Sequence, residues 1–98
     1  MEEETNPEEN QVEQPSLLEF PCWFPLKAFG RDEEAFEEAV AAIVRKNVSH
    51  PEENIVSSKL SREGNFRVVT VSFTAESKAQ LDRIYTELND DPKVLMLL

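Results

Sequence analysis

Ser49 and His50 stand side by side just before Pro51, and Cys22 is the chain's single thiol. Nucleophilic catalysis requires a nucleophile, a base, an orienting acid and a donor pair for the developing oxyanion. Nothing in the spacing supplies the last two for Ser49 and His50, which read as a surface loop after a helix has ended. Cys22 lacks a CxxC partner and reads as a small packed residue rather than a reactive thiol. One His and one Cys fall short of a structural zinc set. The acidic clusters Asp32-Glu33-Glu34 and Asp90-Asp91 lack the spacing of a calcium loop and suit a helix start and a turn. The expectation is a chain with no catalytic residues, no metal and no cofactor.

Two uses of phosphate recognition can be tested directly on the residues. Gly30-Arg31 could open an anion cradle, but Asp32, Glu33 and Glu34 follow at once and would repel phosphate. Gly64-Asn65-Phe66 and Trp23 could serve base stacking within a basic surface. The formal net charge is −10, however. Residues 1–20 hold seven carboxylates (Glu2, Glu3, Glu4, Glu8, Glu9, Glu13, Glu19) and no cation, while the remaining 78 residues carry 13 acidic and 10 basic side chains. A polyanion would meet repulsion from the first segment and, on this reading, no basic stripe on the body. Nucleic acid is not expected as a partner.

No apolar run approaches the length of a bilayer span, and the acidic N-terminus lacks the features of a secretory signal. With one cysteine and hence no internal disulfide, a cytoplasmic protein is expected. Residues 1–16 combine Glu, Asn, Gln and Pro with almost no apolar side chain and read as a disordered acidic tail. Residues 17–98 read as a single domain.

Within it, Cys22 to Phe29 form a first strand that places Phe24, Leu26 and Ala28 on one face and Trp23, Lys27 and Phe29 on the other. Pro25 should sit near its start or at a bulge, and Gly30 ends it. Asp32 is the expected N-cap of a helix with Phe36, Ala39, Val40, Ile43 and Val44 on one stripe. Ile55 to Arg62 read as a strand of mixed polarity and Glu63-Gly64-Asn65 as a turn. Phe66 to Ala75 form a strand with Val69, Val71 and Phe73 on its strong face and Phe66, Val68, Thr70 and Ser72 opposite. Ser77 and Gln80 fit a capping box, opening a helix with Leu81, Ile84, Tyr85 and Leu88 aligned. Val94 to Leu98 make a short apolar strand.

The order strand, helix, strand, strand, helix, strand, with right-handed crossovers, yields an α+β ferredoxin-like βαββαβ sandwich. Its four-stranded antiparallel sheet has order 4-1-3-2, with both helices on one face. The other face is then open and should carry Trp23, Phe29, Phe66 and Val68, with Leu95 and Leu97 or their neighbours of opposite parity from the last strand. An apolar open face of this kind marks an interface, unless the segment around Leu17, Leu18 and Phe20 folds back over it. The expected function is a non-catalytic protein-interaction or regulatory module that binds through this face or an edge strand. Its partner is an unidentified protein or a second copy; no membrane is involved, and no motif supports a small-molecule ligand.

Several stretches resemble the YbeD-like family of small uncharacterised bacterial proteins. These are Leu18-Glu19-Phe20-Pro21 with Phe24, Lys27 and Gly30; Gly64-Asn65-Phe66 with Val69-Thr70-Val71; Ala75-Glu76-Ser77 with Gln80-Leu81; Ile84 to Leu88; and the ending Val94 to Leu98. The resemblance spans residues 17–98. It implies a bacterial, cytoplasmic, ferredoxin-like domain similar to ACT regulatory domains, with no catalytic residues to carry over. It also implies an alternative function, an amino-acid sensor with its ligand at a subunit interface. The glycine-containing ligand loop of many such sensors is missing after the first strand, and the acidic N-terminal extension departs from the family pattern.

Overall fold

The computed structural model describes residues 18–98. The expected tail, residues 1–16, and Leu17 lie outside the described residues. Six main elements follow in order: β1 (Cys22–Arg31), α1 (Phe36–Arg45), β2 (Ile55–Leu60), β3 (Phe66–Ala75), α2 (Lys78–Asp90) and β4 (Val94–Leu97), with a 3-10 turn at Pro51–Glu53 before β2. The sheet order is β2-β3-β1-β4, antiparallel at every pairing, which is the 4-1-3-2 order read from the opposite edge. The chain is a βαββαβ domain.

The helix-side core follows from strand alternation. Phe24, Leu26 and Ala28 of β1 lie opposite Phe73, Val71 and Val69 of β3. All six are buried with Phe36, Val40 and Val44 of α1 and Leu81, Ile84 and Leu88 of α2. The Phe24 and Phe73 rings meet at 5.8 Å and 50°, a tilted contact favoured by the ring quadrupoles. Leu18 and Phe20 pack against this same cluster, so they do not fold over the open face.

Several local expectations are corrected. Asp32 does not cap α1: its carboxylate accepts from Arg67 Nε at 2.9 Å, and its amide donates to Asn65 O at 3.1 Å, extending the β1–β3 pairing. Helix α1 therefore begins three residues later, with Ala35 at the N-cap and no side-chain cap. Gly30 does not end β1. It is a buried strand residue facing the Phe36 ring, and β1 continues to Arg31. Pro25 lies inside the strand opposite Ser72. Pairing to β4 covers only Lys27 to Gly30, so Pro25 sits where that edge of β1 has no neighbour among the described residues to receive an N–H.

At α2, Ser77 Oγ accepts from the Gln80 amide at 3.1 Å as expected. Gln80 Oε1 accepts from the amide of Glu76, one residue before the cap, at 2.6 Å. Its Nε2 donates to Asn47 O at 3.0 Å. Gln80, only 3% exposed, thus ties the start of α2 to the chain leaving α1.

Candidate interaction face

The open face is built from the alternate residues of all four strands. On β1 these are Trp23, Pro25, Lys27, Phe29 and Arg31; on β3 they are Phe66, Val68, Thr70, Ser72 and Thr74. Ile55, Ser57 and Lys59 of β2 align with Ser72, Thr70 and Val68. Met96 lies opposite Phe29.

These side chains separate by kind. One end of the sheet is apolar and aromatic: Phe29 sits between Val68 and Met96 across the strands, and its ring stacks on Phe66 at 5.3 Å and 21°. The Arg31 guanidinium lies 5.8 Å from the Phe66 centroid, within cation–π range. Toward the middle, Lys27 Nζ donates to Thr70 Oγ1 at 3.2 Å. Trp23, 51% exposed, and Ile55, 61% exposed, stand toward the far end.

Of the expected interface residues, Trp23, Phe29, Phe66 and Val68 share this face, Phe29 and Phe66 in direct contact. Leu97 does not share it. It lies opposite Ala28 and packs against the helix-side core, as does Val94. Residues three apart in a regular strand point to opposite faces. Val94 and Leu97 both turn inward because the register shifts between Phe29 and Gly30, leaving Leu95 as the extra, exposed residue of a β-bulge. The open-face position falls to Met96, 49% exposed, the opposite-parity alternative.

Two features escaped the sequence reading. The first is the edge strand β2, where Val56 and Leu60 turn to the helix side yet remain exposed, because α1 packs over β3 rather than over β2. A mixed-polarity strand carries no sequence signal for this. The second is charge. The four strands contain Lys27, Arg31, Lys59 and Arg67 but no carboxylate. Arg67 is turned to the helix side, where it binds Asp32 and donates to Ser58 Oγ at 2.7 Å. Lys27, Arg31 and Lys59 lie on the open face. A cationic face therefore exists on the body, contrary to the expected absence of a basic stripe. It could have been read from the strand sequences once their common face was known.

The remaining reactive residue types do not assemble on this face. Ser49 Oγ donates to Glu76 Oε1 at 2.9 Å, and His50 Nδ1 lies 3.5 Å from Glu52 on the surface. His50, Glu52 and Glu53, all exposed, bring ligand atoms within 4.8 Å of one another on the 3-10 turn; as a solvent-facing acidic cluster this is ordinary surface. Cys22 is half-buried beside the core. A shallow depression of about 380 Å³ lies on the helix layer between Ile43, Lys46, Glu87 and Lys93, with Lys46 already paired to Glu87 at 3.2 Å. Burial raises the pKa of Tyr85 above the ordinary phenol value. No helix among the described residues is long and apolar enough to cross a membrane.

Fold and surface together define a ferredoxin-like α+β domain with one sheet face that no described residue covers. The chain belongs to the family described as protein of unknown function (DUF493), matched over residues 15–98, the YbeD-like family of small bacterial proteins. It is 36% identical to the UPF0250 protein of Nitrosomonas europaea over 83 residues, covering 85% of this chain and 95% of that one. It is 40% identical to the UPF0250 protein of Chromobacterium violaceum over 86 residues, 88% of this chain and 97% of that one.

Proposed function

We propose that this chain is a non-catalytic binding module of the bacterial cytoplasm that engages a protein partner through the open face of its sheet. The observation that carries this reading is the Phe29–Phe66 stack, flanked by Val68 and the exposed Met96, on a face that no described residue covers. Apolar and aromatic surface of this kind, bordered by polar groups, is where desolvation on binding contributes most.

Val68→Glu places a charge at the centre of the patch without entering the core. The expected result is loss of partner capture and of any self-association measured by sedimentation, with the helical signal retained. Unaltered association, or unfolding by Val68→Glu, would refute the reading. A second mode rests on a separate observation: among the described residues β2 is an edge strand with Ile55, Val56 and Leu60 exposed, which suits strand-to-strand pairing with a second copy. Val56→Lys should weaken only that mode. An amino-acid sensor at such a subunit interface would show as a thermal shift with free amino acids.

A further inference from the structure

We propose that the open sheet face is a docking site for an acidic segment, and that its resident occupant is the chain's own N-terminal stretch from Glu2 to Glu13. This rests on the reading of the open face as the binding surface and specifies what that surface takes.

Charge is sorted by layer. The face carries Lys27, Arg31 and Lys59 with no carboxylate on any strand, although the whole chain is −10. Among the described residues none of the three cations forms an ion pair; Arg62, Arg83 and Lys93 off this face also form none, while Arg45, Lys46, Arg67 and Lys78 do. Like charge counts against a second copy laid face to face, since three cations would meet three. A free polyanion such as RNA would be repelled by the chain's net charge. A tethered acidic segment avoids both costs, because its effective concentration is set by the tether.

The N-terminal segment has the needed chemistry and reach. It carries Glu2, Glu3, Glu4, Glu8, Glu9 and Glu13, and no Lys or Arg precedes Lys27. The family match starts at residue 15, so these carboxylates lie outside the matched region. The described chain begins at Leu18, packed on the core beside the start of β1, at the same end of the sheet as Trp23. Seventeen extended residues reach roughly 56 Å, against about 33 Å for a ten-residue strand such as β1. The segment can pass the sheet edge and cross the face to Arg31 and Lys59.

Trp23 is the only tryptophan and stands on the route, so its quenching by neutral acrylamide reports cover. The comparison uses the full chain, a full-length variant with the six glutamates 2, 3, 4, 8, 9 and 13 changed to Gln, and a variant with Lys27→Gln, Arg31→Gln and Lys59→Gln. At about 10 mM salt the wild type should quench about twofold less than either variant. Combining both sets should add nothing further, and about 0.5 M salt should bring wild type to the variants' value. Equal quenching of wild type and the glutamine-tail variant at low salt would overturn the proposal. So would cover that survives neutralisation of the three face cations, or a face that takes a single-stranded oligonucleotide equally well in wild type and tail variant. Val68→Glu, read in the tail variant by partner capture and sedimentation, separates the two readings: sensitivity there alongside equal quenching removes the tail from the face and leaves the face as the binding surface.

Discussion

Gly30→Ala tests the packing between β1, α1 and β4. A Cβ at Gly30 would lie 2.6 Å from Cε1 and Cζ of Phe36 and 2.5 Å from the carbonyl oxygen of Lys93. Ordinary carbon contacts need about 3.5–4.0 Å, so ring and backbone must each retreat by about 1 Å. Neither has room. Phe36 is fully buried, and the Lys93 region is held by Lys93 N donating to Asp91 Oδ1 at 2.9 Å and Val94 N donating to Asp91 O at 3.0 Å. Overpacking of this sort costs about 1–3 kcal/mol, and a backbone atom in the clash favours the upper end. Ala also restricts the unfolded chain, returning about 0.4–1 kcal/mol. The expected net loss is about 2 kcal/mol, which for a domain of this size lowers Tm by about 4–8 °C per kcal/mol. Urea unfolding followed by far-UV circular dichroism measures it. Gly64→Ala is the control: nothing lies within 4 Å of its Cβ, and the φ of +79° alone should cost about 1 kcal/mol. Adding Phe36→Leu to Gly30→Ala should cost less than Phe36→Leu alone, since the smaller side chain relieves part of the clash. An unchanged or raised urea midpoint for Gly30→Ala would show that β1 does not need the close approach and would refute the packing described.

Gln80→Ala strands the Glu76 amide and the Asn47 carbonyl that its side chain satisfies, so a loss of about 1–3 kcal/mol in urea unfolding is expected; a neutral result would mean that water replaces both bonds. Asp32→Ala removes a partly exposed pair with Arg67 and no helix cap, so its cost should stay within about 1 kcal/mol; loss of helical signal would restore it as the cap. Val69→Glu buries a charge at a fully buried site and should leave the chain unfolded by circular dichroism, in contrast to Val68→Glu. Burial raises the Tyr85 pKa in the folded state. The folded form therefore keeps its proton after the unfolded form begins to lose it near the ordinary value of about 10. The corresponding stability is complete below that value and is lost as pH rises through the folded pKa. Urea midpoints should fall across this alkaline window in wild type and fall less in Tyr85→Phe.

Much of the architecture was written in local pattern. The alternation of Val69, Val71 and Phe73 set the inward face of β3, and the spacing of Leu81, Ile84 and Leu88 set that of α2. Ser77 marked the start of α2, and Gly64 the turn between β2 and β3. These signals act within a few residues, where side-chain direction follows from backbone period alone. The order of elements then left few topologies open, because crossover handedness is restricted.

Tertiary structure decided the rest, wherever one residue had two locally acceptable roles. Asp32 could cap a helix or bind Arg67, and only the position of β3 brings Arg67 within reach. Gly30 could end a strand or admit a ring, and only the crossing of α1 over the sheet supplies the ring. The parity of β4 turned on a bulge that lets Val94 and Leu97 both face inward. The cationic face is the furthest case: Lys27, Arg31 and Lys59 are scattered in a strongly acidic chain, and only strand pairing across the sheet gathers them on one surface. Net charge sums over a sequence, whereas the field a partner meets depends on which charges share a face.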